Sequence, residues 1–358
     1  MKDVLSLLRP AALALKPDAA ARSAAHAGAV LLDLNESPRP LLAGGGSVHR
    51  YPEPQPAALV ARAAALYRAP RPSILITRGA DEGIELLTRA ACEAGRDRIL
   101  VCPPSYGGYD TAAAVQGAGV VRVPLKGAPD FRLDAPAVAA AVRKARNRVK
   151  LVYICSPNNP TGTVFDPADI ARVCRAAAGR ALVVVDEAYL EFSAAPSFIA
   201  RLREFPNLVV LRTLSKAWAL AGLRCGFLFA APVLVEVLQC LRAPYPLSSA
   251  SLAVLAAMFD AAGERRMRRA VAGLLAEKDR LRAALEGLDG VELVFPGEAN
   301  FLLIRVRDKE RVLAAARRAR VLVRDRSGDP GLSGCLRVTV GSRADNARFV
   351  SVLREAAR

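Results

Sequence analysis

The sequence predicts an α/β fold: a mainly parallel central sheet with helices on both faces, accompanied by a smaller α/β domain. Three observations carry that expectation. Short, β-rich apolar runs recur through residues 74–229 and are separated by stretches with helical spacing, the alternation expected of parallel strands joined by crossover helices. Beyond residue 231 the texture changes to longer helical periods and then to a second, shorter set of strands. Finally, 358 residues of which 53% are hydrophobic suffice for two lobes, each with its own core.

In chain order, residues 1–50 are rich in Ala, Pro and Gly and read as irregular, an arm packing on the smaller domain. Pro56 to Tyr67 has helical spacing, and Ile74–Thr77 reads as a short buried strand. The helix that opens at Arg78-Gly79-Ala80-Asp81 carries apolar residues at Ile84, Leu87 and Ala91 and is expected to stop at Gly95. Strands are expected at Ile99–Val101, Val120–Val123, Val149–Ile154, Ala181–Val185, Leu208–Leu211 and Gly226–Phe229. Asp166-Pro167 opens a helix between two of them, as N-cap and first-turn proline. Pro232–Leu241, Ser248–Phe259 and Glu264–Leu288 read as helices. The smaller unit follows: strands Val291–Phe295, Phe301–Val306, Val321–Arg324 and Leu336–Val340, a helix over Lys309–Arg320, and a final helix capped by Ser342. The expected division is an arm with part of the small domain (1–50), a large domain (51–240), and interdomain helices with the small α/β domain (241–358).

Composition narrows the function. The net charge of +17 raises nucleic-acid binding, yet the basic residues are spread along the chain without a Lys/Arg block, and aromatic residues make up only 5%. Solvated basic faces that attract anionic substrates are the expectation instead. No apolar run approaches the roughly 18 residues of a membrane span. Asp3, Arg9 and Lys16 break the amino-terminal apolar stretch, against a signal peptide, so a cytoplasmic enzyme is the default. The seven cysteines are scattered without a C-x-x-C pair, and with only His26 and His49 available no metal site is expected.

The chemistry gathers around residues 213–226. Lys216 sits among small and hydroxyl residues between two apolar strands, where a charged ammonium is costly. A lysine there is kept neutral and nucleophilic, or bonds covalently to a carbonyl carbon; the alternative is a loop lysine that snorkels to water. The loops after the other strands add to it. Gly79-Ala80-Asp81-Glu82 turns into a helix amino terminus, a natural phosphate seat, although Asp81 is also an ordinary first-turn acid. Pro103–Tyr109 places an aromatic ring at a strand end, Ser156–Gly162 holds Asn159 before a proline, and Asp186 ends an all-apolar strand. Strand ends of this kind are where α/β sheets bind ligands.

One ligand satisfies all of these: pyridoxal 5′-phosphate. Lys216 would bond to its aldehyde, Asp186 would pair with its pyridine nitrogen, Tyr189 and Asn159 would hydrogen-bond the ring hydroxyl, and Tyr106 would stack on the ring. Ala80 and Asp81 at the helix terminus, with Thr213, Ser215 and Arg224, would take the phosphate.

At this point the sequence resembles the fold-type I aminotransferases, and within them the histidinol-phosphate aminotransferase family. The matching phrases are L-N-E-S-P (34–38), R-Y-P-E-P (50–54), R-G-A-D-E-G-I-E-L-L (78–87), P-P-S-Y-G-G-Y (103–109), C-S-P-N-N-P-T-G (155–162), D-E-A-Y-L-E-F (186–192), L-R-T-L-S-K-A (211–217), L-A-G-L-R-C-G-F (220–227), A-P-Y-P-L-S (243–248) and L-S-G-C-L-R-V-T-V-G (332–341). The resemblance implies transamination of L-histidinol phosphate with 2-oxoglutarate, with Lys216 moving the Cα proton and Asp186 and Tyr189 as catalytic partners. It implies a homodimer in which Tyr51 reaches the partner's cofactor phosphate, and substrate contacts from Arg324, Arg337, Asn35 and Arg22. For Tyr51 the alternative is a proline-flanked packing residue, and for Arg22 a surface ion pair. One phrase departs from the family: Asp18 stands after Pro17 where relatives often carry a tyrosine. Three other readings remain open here: an aromatic or broad-specificity aminotransferase, a threonine-phosphate decarboxylase-like enzyme, and a cofactor-binding regulator.

Overall fold

The computed structural model describes residues 4–16, 30, 32–41 and 48–357. In chain order it begins with a 3-10 turn (Val4–Leu7) and a short helix α1 (Pro10–Leu13), followed by α2 (Ala57–Tyr67). The alternating part comprises β1 (Ile74–Thr77), α3 (Gly79–Ala91), β2 (Arg98–Val101), α4 (Gly108–Gln116), β3 (Gly119–Arg122), α5 (Ala135–Arg143), β4 (Val149–Cys155), α6 (Pro167–Ala177), β5 (Leu182–Asp186), β6 (Leu208–Thr213) and β7 (Gly226–Phe229). Helices α7 (Pro232–Leu241), α8 (Ser249–Met258) and α9 (Ala261–Glu286) lead into β8 (Val291–Val294), β9 (Phe301–Val306), α10 (Lys309–Arg318), β10 (Arg324–Asp325), β11 (Cys335–Thr339) and α11 (Arg343–Ala357).

Among the described residues the first seven strands form one sheet in the order β1-β7-β6-β5-β4-β2-β3. The pairs β2/β3, β2/β4, β4/β5 and β5/β6 are parallel, whereas β7 runs antiparallel to both its neighbours, β1 and β6. The strands read as continuous apolar runs because both faces are buried. In β5, Val183 and Val185 enter one core while Leu182 and Val184 enter the other, and β6 divides Leu208 and Val210 from Val209 and Leu211 in the same way. Six strands therefore bring their carboxyl ends to one edge, where reversed β7 contributes its amino end at Gly226.

The second sheet, β10-β11-β9-β8, is antiparallel throughout. Leu281 and Leu285 of α9, Val312 of α10 and Phe349 and Leu353 of α11 close its core. Helix α9 joins the two units, since Met267 and Val271 in its first half belong to the core of the large sheet. A second link is backbone on backbone. A Cβ on Gly162 would lie 2.9 Å from Gly297 Cα, and Glu298 N donates to Gly162 O at 2.7 Å. Lys278 of α9 holds the same loop, its Nζ donating to Gly297 O and Ala299 O at 2.5 and 2.7 Å, and burial lowers its pKa to about 8.

Four expectations are corrected. Part of the amino-terminal stretch packs on the larger unit rather than the smaller: Val4, Leu7 and Leu8 are buried in the core of the large sheet, and Arg9 N donates to Ala90 O of α3 at 2.8 Å. Helix α3 ends at Ala91, before Gly95, because Asp97 Oδ2 accepts from Glu93 N at 2.9 Å and turns the chain. Helix α9 starts at Ala261, since Asp260 Oδ1 caps it by accepting from Gly263 N at 2.7 Å. The strand expected over Val321–Arg324 shrinks to Arg324–Asp325; Leu322 is 93% exposed and anchors nothing. Ser342 does cap α11, accepting from Asp345 N at 3.2 Å. No helix among the described residues is long and apolar enough to cross a membrane, and no cluster of three or more potential metal ligands occurs among them.

Candidate active site

At the carboxyl edge of the large sheet a cavity of about 150 Å³ opens. Its lining includes Ala80, Asp81, Tyr106, Asn159, Asp186, Tyr189, Thr213, Ser215, Lys216 and Arg224, all singled out from the sequence, together with Cys155, Ala188 and Ala221. They come from the ends of β4, β5 and β6, from the start of α3, and from the loops around Tyr106 and Arg224.

The floor is Asp186, 3% exposed at the end of β5. Its Oδ2 accepts from Tyr109 OH at 2.8 Å and its Oδ1 from Ala188 N at 3.1 Å. Burial pushes its pKa up to about 6 against the pull of those two donors, and no ion pair among the described residues includes it. Tyr109 is fully buried, stacked on Tyr153 with ring centroids 4.5 Å apart, and Tyr106 meets it edge-on at 5.4 Å. The sequence singles out Tyr106 at the cavity and passes over Tyr109, three residues on, which carries the hydrogen bond to Asp186.

One end of the cavity is built for an anion. Gly79 has φ +77°, and a Cβ there would sit 3.1 Å from Arg224 Nη2. Gly226 admits no side chain either, because its Cβ would meet Arg212 O and Gly79 C at 2.8 Å. The two glycines let β1, β7 and the Arg224 guanidinium close around the first turn of α3, where free N–H groups point outward. Thr213 Oγ1 donates to Ser215 Oγ at 3.0 Å and accepts from Ser215 N at 3.1 Å, holding both hydroxyls at the rim. Asp81 accepts from Tyr106 OH at 2.9 Å and from Arg224 Nη2 at 3.4 Å; the longer contact leaves the guanidinium free to share its donors.

Lys216 faces the opposite wall, its Nζ 5.7 Å from the centroid of the Tyr189 ring. Burial first, and Arg337 second, lower its pKa. Burial raises the Tyr189 phenol, and Phe301 of β9 packs against that ring at 5.4 Å. Arg337 of β11 bridges the two units by donating to Asn159 Oδ1, with its guanidinium 5.2 Å from the Phe301 ring. Asn158 fixes the loop beneath, donating to Pro104 O and Thr161 Oγ1, both at 2.9 Å.

Other expected residues lie off the cavity lining. Arg324 is exposed and pairs in register with Arg337 across β10 and β11. Tyr51 is half exposed and stacks on Tyr245, centroids 4.4 Å apart. Asn35 is exposed with φ 57°, next to Glu36, which accepts from Tyr51 N at 2.6 Å and pairs with Arg50. Arg22 and Asp18 lie outside the described residues.

Comparison with known proteins gives a consistent set of likenesses. The family model described as aminotransferase class I and II matches residues 19–353. A histidinol-phosphate aminotransferase of Yersinia enterocolitica is 42% identical over 353 residues, covering 98% of this chain and 93% of that one. A Xylella fastidiosa protein of the same name is 44% identical over 354 residues, at 98% and 96% coverage. Among solved structures, histidinol-phosphate aminotransferase from Sinorhizobium meliloti in complex with pyridoxal 5′-phosphate superposes with a TM-score of 0.78 at 25% identity, over 87% of this chain and 84% of that one.

Proposed function

The chain belongs to the class I and II aminotransferase family, a pyridoxal 5′-phosphate-dependent family, and from that premise we propose that it transfers the amino group of L-histidinol phosphate to 2-oxoglutarate, yielding imidazole acetol phosphate and L-glutamate. In this reading it is a cytoplasmic, homodimeric enzyme of histidine biosynthesis. The observation that carries the substrate is the 42–44% identity, along nearly the whole chain, to proteins that bear that activity in their names.

The cavity suits the cofactor on its own chemistry. Asp186 is a buried carboxylate with two neutral donors and no cation, the surroundings that a protonated ring nitrogen would complete. The α3 terminus, the paired hydroxyls and Arg224 form a seat for a phosphate. Bound there, pyridoxal 5′-phosphate supplies an aldehyde for amines and an electron-withdrawing ring that makes the substrate's Cα proton removable.

The protein's residues do the rest. Lys216 would hold the aldehyde end of the group, and its Nζ is the amine that would take the Cα proton as a base and return it as an acid. Its lowered pKa keeps more of that amine in the neutral, basic form near neutral pH. Asp186, steadied by Tyr109, would pair its negative charge with the ring nitrogen. Tyr189 and Asn159 would hydrogen-bond the ring hydroxyl, and Tyr106 would stack on the ring. Ala80, Asp81, Thr213, Ser215 and Arg224 retain the phosphate, joined by Tyr51 from the partner of the dimer. Arg337, with Arg324 and with Asn35 and Arg22, grips the substrate's phosphate in one half-reaction and the carboxylates of 2-oxoglutarate in the other; a guanidinium fork accepts either.

The test is a donor panel with 2-oxoglutarate as acceptor, read as kcat/KM for histidinol phosphate, phenylalanine and phosphothreonine. Histidinol phosphate is expected to lead phenylalanine by at least about 100-fold, since a phosphate dianion engages the Arg337 and Arg324 guanidinium groups more fully than phenylalanine's single carboxylate does. Parity between the two sinks the substrate assignment. Lys216→Ala serves as the blank, with no turnover and no visible absorbance of bound cofactor.

A further inference from the structure

The segment that joins β10 to β11 leaves the small sheet and seats on the large unit. Leu332 and Cys335 in it are fully buried and belong to the core of the large sheet, and a Cβ on Gly331 would lie 3.6 Å from the Phe131 ring. Successive turns stiffen it: Asp329 N donates to Arg326 O at 3.0 Å, Leu332 N to Asp329 O at 3.1 Å and Cys335 N to Leu332 O at 2.9 Å. Leu332 anchors the far side of the segment. The near side, where the chain leaves β10, rests on Arg326.

Strand alternation decides where that side chain goes. Arg324 stands opposite Arg337, and Arg326 N donates to Cys335 O at 3.0 Å, which extends the ladder by one residue. Residues two apart share a face. Arg324, Arg326 and Arg337 therefore share the face toward the large unit with Cys335. Asp325 lies on the other face, with Leu336 of the small core, 3.0 Å from Lys309 Nζ of α10.

The Arg326 guanidinium is used in two directions. Its Nε meets Asp329 Oδ2 at 2.6 Å, a contact of charges without an aligned hydrogen bond, and its Nη2 donates to Ser105 O at 3.4 Å, beside Tyr106. Both side chains are largely covered, 15% and 29% exposed. The guanidinium groups also act on one another. Burial first, with the charges of Arg326 and Arg324 adding to it, lowers the pKa of Arg337, while Tyr189 and Asp329 oppose the change. Asp329 is thus the counter-charge that lets Arg326 stand beside two other cations.

We propose that the Arg326–Asp329 pair is a specificity-determining strut: it fixes the small-sheet face that carries Arg324 and Arg337 against the Tyr106 loop, at the spacing a dianionic donor headgroup requires. Arg326 is a positioning residue, acting through Arg337 and Arg324 without touching the substrate. Its planar fork suits the task, because one guanidinium reaches a carboxylate and a carbonyl at once in fixed geometry, which a single ammonium does not. The inference deepens the proposed function and rests on its assignment of Arg337 and Arg324 to the donor's anionic group.

The test uses the full-length, cofactor-loaded protein and reads KM for histidinol phosphate beside the Kd of inorganic phosphate by calorimetry. Arg326→Gln, Arg326→Lys and Asp329→Asn are each expected to raise both constants at least about tenfold. The Kd of pyridoxal 5′-phosphate and kcat should stay within about twofold of wild type. The double variant Arg326→Gln/Asp329→Asn should be no weaker than either single one, because the pair acts as a unit. A general loosening of the fold would weaken cofactor and substrate together, and that result overturns the inference. Wild-type behaviour of Arg326→Lys does so too, since a nearby positive charge would then suffice, as do losses that multiply in the double variant. These outcomes separate from those of the donor panel. If histidinol phosphate leads the panel and the variants keep its KM, the strut is rejected and the substrate stands. If phenylalanine matches it while phosphate binding still weakens in the variants, the substrate is rejected and the strut stands.

Discussion

At Asp186 two neutral donors and, among the described residues, no paired cation meet a buried carboxylate, and burial moves its pKa from 3.8 to about 6. The native cofactor-free protein therefore keeps this proton longer than the unfolded chain does. That favours folding below about pH 4 and is lost as pH rises through about 6, so ionised Asp186 weakens the fold at neutral pH. Asp186→Asn should raise the stability of cofactor-free protein by up to about 3 kcal/mol at pH 8 and by about half as much at pH 5, with Tm following. With pyridoxal 5′-phosphate added the order should reverse, because only the wild type gains a charged partner for the ring nitrogen. Calorimetry at the two pH values decides it, and an equal gain at both would rule out this account. Asp186, Asn159 and Lys216 were legible because each interrupts or ends an apolar run with a group that needs a partner. Tyr109 was not: nothing in Pro103–Tyr109 tells a ring that lines a cavity from one that supports the carboxylate below it.

The elements divide in the same way. Buried strands were readable from their composition, because a parallel strand covered on both faces has no polar alternation to obscure it. Their ends were harder, since they depend on side-chain caps such as Asp260 and Asp97, which resemble any other surface acid. The packing of Val4, Leu7 and Leu8 on the large sheet was hidden because a 3-10 turn is too short to show a helical period. The first turn of α3 gives the sharpest test at this scale. Gly79→Ala combines a positive φ with a Cβ at 3.1 Å from Arg224, so the guanidinium must shift away from the helix terminus. Cofactor affinity is expected to fall about tenfold with thermal stability of the cofactor-free protein lowered by only about 1 kcal/mol. Equilibrium dialysis with pyridoxal 5′-phosphate measures it, and an unchanged Kd would show that this terminus holds no phosphate.

Across the whole molecule, the proposed function is split between two sheets. The cavity residues stand on the large one, while Arg337 stands on the small one, donating to Asn159 and lying over the Phe301 ring, with Arg324 paired to it in register. Loosening the small core should therefore separate cofactor binding from substrate binding. Leu285 is fully buried there. Leu285→Ala is expected to cost about 3 kcal/mol by urea denaturation, with the visible absorbance of the bound cofactor retained and KM for the phosphorylated donor raised. A loss of cofactor with KM unchanged would contradict the split. The excess of basic residues suits the same picture, because the cofactor, the proposed donor and the acceptor are all anions.

The contact between Gly162 and Gly297 has a consequence for how such a molecule could change its diet. With no side chains between them, the two backbones meet directly, so the loop before β9 of the sheet that carries Arg337 seats on the large unit at this one contact. A single methyl at either glycine would work as a shim, shifting that seat and widening the jaw without altering any residue that touches the meal. Selectivity for larger or smaller amines can thus drift through two positions that a search for binding residues would never inspect.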